Sequence, residues 1–393
     1  MTDRSVLVAS AQRTPIGAFQ GVLAGVAAPQ LGAAAARRAL EAAGLSGQDV
    51  QEVIFGCVLS AGLGQAPARQ AALAAGIPAE VPCTTINKMC GSGMKAVMMA
   101  ADQIRTGDTD VALAGGLESM SNAPYLLLKA RSGYRMGHGE LLDHMFYDGL
   151  QSAWDGQAMG VFAENTAEKY AFTREAQDAF AAESVRRALR ACESGDFEGE
   201  LAPVTFRGRK GESTVARDET PFTCDLARIP ELKPAFRKGG TVTAASSSSI
   251  SDGASALVLV SAATAEARGL KPLARIAGYA GCAQAPEWFT TAPAGAIRRV
   301  LEKTGWRAAD VDLFEINEAF ATVTLATMHD LGLDHGRVNV LGGACALGHP
   351  IGATGARILT TLAHALRRRH LRRGVAALCI GGGEATAVAL EAL

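Results

Sequence analysis

Short apolar runs alternate with amphipathic segments along most of the chain. Two segments, CGSGMKAVMMAADQI and GATGARILTTLAHAL, open with a glycine turn and continue with the periodicity of an amphipathic helix. The apolar runs are typical of buried strands, and they read EVIFGCV, VALAGG, SDGASALVLVS, LFEINEA, AALCIGGG and EATAVALEAL. This alternation predicts an α/β fold in which helices cover a mostly parallel sheet.

The pattern occurs twice. The segment RRALEAAGLSGQDV, from Arg37 to Val50, matches RRVLEKTGWRAADV, from Arg298 to Val311, at seven positions with a constant offset of 261. The glycine turn at Cys90 matches the turn at Gly352 with an offset of 262, and an apolar run ending in glycines follows each helix. Three matches in one order predict two copies of one α/β unit.

The two copies differ by one long segment. The last strand of the second copy follows its glycines directly, whereas the matching run of the first copy begins only at Ser251. We therefore predict an insertion that is aromatic and Met-rich at first, then helical from Asn165 to Cys192, then loop-like. The predicted domains are residues 1–119 with 250–271, an inserted loop domain at 120–249, and residues 272–393.

Composition and charge narrow the class of protein. The 393 residues include 38 Lys and Arg against 39 Asp and Glu, so the net charge of −1 argues against a nucleic-acid partner. The apolar runs are shorter than the ~18 residues of a membrane span, and the N-terminus does not resemble a signal peptide. We expect a soluble, cytoplasmic protein without a membrane partner.

The eight cysteines are scattered along the chain without a C-x-x-C pair. A large chain without a signal peptide is not expected to form a disulfide framework. Because the ligand spacing of zinc fingers and ribbons is missing, we also expect no metal site.

Cys90 lies at the predicted start of a helix, in NKMCGSGMKAV. The positive end of the helix dipole favours the thiolate, which is the nucleophilic form of cysteine. The alternative is a buried cysteine before a glycine turn, and the residues alone favour neither.

His349 lies in a loop with five glycines in sixteen residues, Gly342 to Arg357. A neutral imidazole there can take the proton from Cys90. The alternative is a loop histidine bonded to backbone carbonyls. The duplication favours the first interpretation, because it places both glycine turns at one sheet edge.

Two strand ends carry further candidates. Cys379 precedes three glycines, where a second thiol suits a separate proton transfer; the alternative is a buried strand cysteine. Asn317 and Glu318 follow the run LFEI, and an Asn side chain there can hold a water that donates to an oxyanion. The alternative for Asn317 is the N-cap of the next helix.

Other glycine- and serine-rich segments are less specific. LAGGLES and CIGGGEA lack the G-x-G-x-x-G pattern, so a dehydrogenase is disfavoured. The serine-rich segment from Gly240 to Ser255 is either a solvated linker or a surface on which a long, thin ligand lies.

The chain resembles the thiolase family over its whole length, and within it the acetyl-CoA C-acetyltransferases. The resemblance implies the thiolase fold: two βαβαβαββ halves in α/β/α/β/α layers, with a loop domain inserted. The segments that carry it are AQRTPIGAFQG, NKMCGSGMKAV, GGLESMSNAPY, KPAFRKGGTVTA, INEAFA, GGACALGHPIGATGAR and CIGGGEA.

The resemblance implies a reversible Claisen condensation of two acetyl-CoA to acetoacetyl-CoA and CoA. Cys90 would be the acylated nucleophile, His349 its base, and Cys379 the acid/base that takes the α-proton. Asn317, through a water, and His349 would form one oxyanion hole; the N–H groups of Cys90 and Gly381 would form the other. Coenzyme A enters as substrate and product, and no further cofactor is implied.

The resemblance also implies a coenzyme site. One or two basic residues of the insertion would meet the phosphates, from among Arg207, Arg209, Lys210, Arg217 and Arg228. The positions that would line the coenzyme and acyl groove are Met159, Arg228, Ala235, Phe236, Ala244, Ser248, Ile250, Phe289, Ala319 and Phe320.

The chain differs from the family pattern in two segments and resembles it in one further loop. Many acetoacetyl-CoA thiolases have His-Met-Gly where this chain has Ala158-Met159-Gly160, and Asn-Ala-Ser where it has Ser246-Ser247-Ser248. Both leave the acyl preference and the coenzyme affinity open. The segment from Tyr134 to Phe146 resembles the loop that joins thiolase dimers, so a homotetramer is expected.

Three alternatives remain at the level of sequence. A 3-ketoacyl-CoA thiolase of broader chain length would use the same residues. A cysteine-nucleophile thioester hydrolase would not need Cys379. A non-enzymatic coenzyme-binding protein would need none of Cys90, His349 and Cys379.

Overall fold

Strands and helices alternate through both halves of the chain. The computed structural model describes residues 4–208 and 211–393. The strands are β1 Val6–Arg13, β2 Gly17–Ala18, β3 Glu52–Gly56, β4 Cys83–Ile86, β5 Val111–Ser119, β6 Tyr125–Leu126, β7 Leu142–Asp143, β8 Val204–Gly208, β9 Gly211–Val215, β10 Ser251–Ser261, β11 Ala274–Ala283, β12 Leu313–Ile316, β13 Arg373–Ile380 and β14 Glu384–Ala392. The helices are α1 Ala28–Ala43, α2 Pro67–Ala74, α3 Ser92–Thr106, α4 Met159–Lys169, α5 Arg174–Glu193, α6 Ala262–Ala267, α7 Ala292–Thr304, α8 Ala321–Leu331, α9 Ala344–Leu347 and α10 Thr354–Arg368.

Equivalent glycines end the equivalent helices of the two halves. Helix α1 ends at Gly44 with φ +68°, and α7 ends at Gly305 with φ +69°. Glycine adopts this left-handed conformation without the penalty of a Cβ, so each helix stops there and the chain turns back to a strand. The repeated turn preserves the predicted offset of 261 in the fold.

Each half contributes its own part of the sheet. In the first half the strand order is β1-β10-β5-β3-β4, with β3 parallel to β4 and β5, and β10 antiparallel to both neighbours. In the second half the order is β11-β14-β13-β12, with β12 parallel to β13. Among the strands that the structure describes, the two parts join only where β1 pairs with β11, at Leu7 with Arg275 and at Val8 with Ala274.

Helices form three layers around these two parts. Helices α1 and α2 pack on the outer face of the first half, and α7 packs on the outer face of the second. Helices α3 and α10 lie between the two parts and contact each other. A Cβ on Gly93 would lie 2.9 Å from the backbone nitrogen of Ala356, and one on Gly355 would lie 2.4 Å from that of Met94. Glycine at both positions lets the starts of the two central helices meet.

The second half departs from the predicted βαβαβαββ order at one strand. Its third strand is reduced to a single bridge, between Val338 and Phe314, where the first half has β4 paired to β3 over four residues. Helices α3 and α10 nevertheless begin 262 residues apart. The chain between bridge and helix is therefore longer in the second half, and it carries α9 and His349.

The inserted segment has elements of its own. Strands β6 and β7 form a hairpin, a turn of π-helix spans Phe146–Leu150, and β8 pairs with β9. The helical stretch predicted from Asn165 to Cys192 is two helices, α4 and α5, separated by residues 170–173. Within the described residues, each helix is too short or too polar to cross a membrane.

Candidate active site

Cys90 sits in a tight turn between β4 and α3. Met89, just before it, adopts φ +47°, a conformation that costs energy for a residue other than glycine. The hydroxyl of Ser92 holds the turn, because it accepts from the N–H of Lys88 at 2.8 Å and donates to the carbonyl of Met89 at 2.7 Å. The N–H of Met89 also donates to the side-chain oxygen of Asn87 at 2.9 Å. The turn is thereby fixed by local side chains.

The thiolate expected at Cys90 is not the resting form. Burial raises the pKa of its thiol to about 11. The backbone N–H groups of Gly381 and of Cys90 itself point at the sulfur and oppose this rise. Desolvation outweighs them, because a charged sulfur loses its hydration whereas two N–H groups return only part of it. The expectation from the helix terminus alone was therefore wrong in direction.

His349 rests as a neutral base. Its Nδ1 lies 2.6 Å from the hydroxyl oxygen of Thr354, which donates its own proton to the carbonyl of Pro350 at 3.0 Å. When the hydroxyl donates to that carbonyl, it accepts from Nδ1 of the ring, and in this tautomer Nε2 is an acceptor. Burial, followed by the charge of Arg357, lowers the pKa of His349 to about 3. The buried Nε2 has no hydrogen-bond partner among the described residues.

The loop of His349 lies against the turn of Cys90. A Cβ on Gly93 would lie 3.0 Å from the carbonyl oxygen of Gly352, three residues after His349. Ile351 belongs to a small apolar cluster against which Cys90 and Ile250 pack. The duplication thus brings its two glycine turns to one place, as predicted.

Cys379 approaches Cys90 from the second half of the sheet. It lies at the end of β13, fully buried, and a Cβ on Gly91 would meet the neighbouring Ile380 at 2.4 Å. Burial raises the pKa of the Cys379 thiol well above its usual value, and the nearby sulfur of Cys90 raises it further. Both cysteines are therefore thiols at rest.

Neither polar atom of the Asn317 side chain makes a hydrogen bond to the described residues. Asn317 is 1% exposed, and both its Oδ1 and its Nδ2 lack a hydrogen bond within the described part of the chain. Helix α8 begins at Ala321 with Phe320 in the cap position, so Asn317 is not the N-cap. Buried polar groups require a partner, and a water or a substrate oxygen would supply one here.

A cluster of apolar side chains surrounds Cys379, and a pocket opens beside it at Met159 and Phe162. Phe162 meets Phe289 edge to face with the ring centres 6.1 Å apart, and Phe236 meets Phe320 in the same way at 5.8 Å. The predicted groove residues Met159, Phe236, Phe289, Ala319 and Phe320 all belong to this one cluster.

The remaining predicted coenzyme positions lie farther out. Ser248 donates from both its N–H and its hydroxyl to the carbonyl of Ala319, each at 3.0 Å, which ties the serine-rich segment to the pocket. Ala235 and Ala244 are exposed on the chain that leads to it, and Ile250 packs near Cys90.

The structure does not gather the basic candidates around the pocket. Arg228 is exposed on a 3₁₀ turn at Leu226–Glu231. Arg217 lies over the ring of Phe222, and Arg207 lines a groove with residues of α1. Arg209 and Lys210 lie outside the described residues.

The sequence did not identify several residues that line the mouth of the pocket. Its wall is formed in part by Met89, Tyr147, Trp154, Pro286 and Gly382. Trp154 is 68% exposed, and its ring lies 3.3 Å from where a Cβ on Gly382 would stand. The aromatic composition of the insertion was visible in the sequence, but the direction of its side chains toward the second half was not.

Two family profiles match almost the whole chain. The thiolase N-terminal domain matches residues 6–263, and the thiolase C-terminal domain matches residues 270–392. An acetyl-CoA acetyltransferase of Pseudomonas aeruginosa is 52% identical over 389 residues, which cover 98% of this chain and 99% of that protein. One of Cupriavidus necator is 49% identical over 393 residues and 100% of both chains.

A solved structure agrees with these matches. The crystal structure of the Bacillus anthracis acetyl-CoA acetyltransferase superposes with a TM-score of 0.97 and 44% identity, and the match covers 100% of both chains. The resemblance and the layered α/β fold that it implied are thereby confirmed. Profiles, relatives and fold agree that the chain belongs to the thiolase family.

Proposed function

We propose that this thiolase is an acetyl-CoA C-acetyltransferase, which joins two acetyl-CoA into acetoacetyl-CoA and free CoA and also runs the reaction in reverse. The observation that carries the proposal is the pair of thiols, Cys90 and Cys379, which come together from the two halves of the chain, with the loop of His349 packed against the turn of Cys90. One thiol and one base suffice for acyl transfer to water. A second thiol suits the removal of a proton from carbon.

The first half-reaction would form acetyl-Cys90. Nε2 of His349 takes the thiol proton as Sγ of Cys90 attacks the thioester carbonyl, and the carbon–sulfur bond to CoA then breaks. The N–H groups of Cys90 and Gly381 are aimed at the reacting sulfur, so they are placed to stabilise the oxyanion on the attacked carbon. The departing CoA thiolate requires a proton.

Cys379 would supply that proton. It is a thiol at rest, and it must lose its proton before it can act as a base. Donation to the CoA sulfur meets both needs in one transfer and leaves Cys379 as a thiolate, next to the position of the second acetyl-CoA.

The second half-reaction would form the carbon–carbon bond. The Cys379 thiolate takes the α-proton of the second acetyl-CoA, and the resulting carbanion attacks acetyl-Cys90. His349, now protonated, and a water on Asn317 donate to the enolate oxygen. As the intermediate collapses, Cys90 leaves as a thiolate and recovers its proton from His349. All groups then return to their resting states.

The coenzyme would lie across the loop domain. The groove is supported by the cluster of Met159, Phe236, Phe289, Ala319 and Phe320, and by the attachment of Ser248 to the same wall. The partners proposed are acetyl-CoA, acetoacetyl-CoA and CoA, with no further cofactor. We propose a homotetramer joined through the β6–β7 hairpin, whose side chains are largely exposed in the single chain.

The experiment separates the two half-reactions. Cys379→Ala should still acetylate Cys90 when incubated with labelled acetyl-CoA, yet lose acetoacetyl-CoA synthesis by ~10²–10⁴-fold, which is the usual range for a general base. Cys90→Ala should lose both steps, and Cys224→Ala, a partly exposed cysteine away from the pocket, should lose neither. Near-normal synthesis by Cys379→Ala would overturn the two-thiol mechanism. Steady release of acetate instead of condensation would identify a hydrolase.

A further inference from the structure

The outer edge of β12 is almost unpaired. The equivalent strand of the first half, β3, is paired along four residues with β4, whereas among the described residues β12 has only the bridge from Phe314 to Val338 on that side. The strand ends at Ile316, and Asn317 follows immediately. Asn317 therefore lies at the end of this nearly unpaired edge, while on the other side its N–H still donates to the carbonyl of Ala377 on β13 at 3.0 Å.

The side chain of Asn339 takes the place of the missing strand. Its Oδ1 accepts from the N–H of Ile316 at 2.8 Å, and its Nδ2 donates to the carbonyl of the same residue at 2.8 Å. A side-chain amide thus makes the two bonds that a neighbouring strand would make. Asn339 itself adopts φ +49°, which asparagine tolerates better than most residues.

The second hydrogen on Nδ2 of Asn339 reaches past Asn317. It donates to Oε1 of Glu318 at 2.8 Å, so one amide holds both the residue before Asn317 and the residue after it. The other oxygen of Glu318 accepts from the hydroxyl of Ser184 at 2.7 Å and from the N–H of Cys345 at 3.0 Å. Cys345 belongs to α9, which leads to His349.

The network is fully buried and closely packed. Asn339, Glu318 and Ser184 are each at most 2% exposed. A Cβ on Gly343 would lie 2.3 Å from the carboxyl carbon of Glu318, so only glycine leaves room for that carboxylate. A buried, satisfied network of this kind permits a single arrangement of the backbone.

We propose that Asn339 is a positioning residue for the oxyanion hole. By fixing Ile316 and Glu318, it sets the direction of the Asn317 side chain. Catalysis by such groups requires placement to within a fraction of an ångström. The inference rests on the role proposed above for Asn317.

The principal variant is Asn339→Gly, because glycine keeps the left-handed backbone and removes only the three side-chain bonds. We expect kcat for acetoacetyl-CoA synthesis to fall ~10–100-fold, the scale of a misplacement of about 1 Å, with KM for acetyl-CoA within about twofold. Acetylation of Cys90 should keep its rate, because that step uses the other oxyanion hole. A loss of overall stability would slow both steps alike.

A double-mutant cycle distinguishes positioning from a general structural role. If Asn339 acts through Asn317, then Asn339→Gly combined with Asn317→Ala should be no slower in synthesis than Asn317→Ala alone. Losses that multiply, or equal loss of both half-reactions, would overturn the inference. Normal synthesis by Asn317→Ala would overturn the proposed role of Asn317 itself, and this inference with it.

Two further variants test the inference if Asn339→Gly does not fold. Ser184→Ala removes one donor to Glu318, and we expect a smaller loss in the same half-reaction, non-additive with Asn317→Ala. Thr327→Val is the matched control, because it removes a buried bond of 2.8 Å to the carbonyl of Val323 on α8. It should lower the melting temperature without separating the two half-reactions. If Ser184→Ala slows both half-reactions as Thr327→Val does, the inference fails.

Discussion

Cys90 and His349 rest uncharged because each is withdrawn from water. Burial raises the pKa of Cys90 to about 11 and lowers that of His349 to about 3. A thiolate–imidazolium pair would hold two charges in a largely buried site, and the hydrogen bonds available are too few to compensate. We therefore expect the proton of Cys90 to be transferred only when a substrate carbonyl is present to receive the electrons.

This charge state predicts the pH dependence of Cys90 acetylation. His349 becomes protonated only as the pH falls toward 3, and Cys90 loses its proton only as the pH rises toward 11. Between them both groups keep the forms that the step requires, so kcat/KM for acetylation should be flat from about pH 5 to 9. Rapid-quench measurement with labelled acetyl-CoA tests this. A bell-shaped profile centred near neutrality would mean that the pair rests ionised.

Residue types and turns were predictable, but their environment was not. Cys90, His349, Cys379 and Asn317 could be identified because each stands at a glycine-rich turn or strand end. The direction of the Cys90 pKa could not, since the apolar side chains that bury Cys90, such as Leu59, Met145 and Ile351, come from other segments of the chain. Asn339 was not predicted either. Its side chain bonds to Ile316 in place of a missing strand, and the sequence does not show that this strand is missing.

At the scale of elements, the start of α4 and the turn at Pro286–Thr291 meet in the apolar cluster around Cys379, where we propose that the acyl chain ends. Met159 and Phe289 stand there, and Phe289 is 3% exposed. We expect a graded preference for short acyl chains, because each methylene in an apolar pocket changes discrimination by only ~1–3 kcal/mol. Thiolysis kcat/KM should be highest for the four-carbon substrate and fall toward ten carbons. Equal values would contradict this.

Removal of the Phe289 ring should flatten that series. Phe289→Ala opens space at the acyl end, so kcat/KM should rise for six- to ten-carbon substrates relative to four, at a stability cost of ~3–5 kcal/mol. Phe180→Ala is the matched control, because Phe180 is equally buried but stacks on His335, away from the pocket. The Phe180→Ala variant should lose stability, but its dependence of kcat/KM on acyl chain length should not change.

The contact between α3 and α10 predicts an unusual sign for a helix substitution. Gly→Ala inside a helix normally stabilises by ~0.5–1 kcal/mol. In Gly355→Ala the new Cβ would lie 2.4 Å from the backbone nitrogen of Met94, which cannot move without the Cys90 turn. We expect a loss of ~1–3 kcal/mol in the free energy of unfolding, measured in urea. Gly281→Ala, with nothing closer than 3.8 Å, should change it by less than ~0.5 kcal/mol. A stabilised Gly355→Ala would contradict the contact.

Elements with strong local patterns were predictable. The apolar run SDGASALVLVS is β10 over its whole length, and the repeat with an offset of 261 is present in the fold as the equivalent helices α1 and α7. The break between α4 and α5 and the hairpin of β8 and β9 were not predicted, because their sequences carry few turn residues or little apolar periodicity. The predicted domain boundaries remain predictions.

At the scale of the whole molecule, most of the exposed large apolar side chains lie between Tyr125 and Trp154, around the β6–β7 hairpin. Leu128 is 60% exposed, Met136 is 90% exposed and Leu141 is 61% exposed. Burying them in a tetramer would remove apolar surface from water. Met136→Glu combined with Leu128→Glu should therefore lower the mass measured by light scattering from tetramer to dimer. Leu73→Glu, on α2, should leave the mass unchanged. An unchanged mass in the double variant would exclude this hairpin as the contact.

The position of β10 governs the order in which the chain can fold during synthesis. It lies between β1 and β5 in the sheet, yet about 130 residues separate its start from the end of β5 in the chain. A ribosome adds ~5–20 residues per second, so β5 waits roughly 7–26 s for β10, and β1, which is made about 100 residues before β5, waits longer. The loop domain emerges before the sheet on which it rests is closed. A nascent chain stopped anywhere before Ser261 is consequently a substrate for chaperones and a source of aggregation, whereas one stopped shortly after it can close its first half.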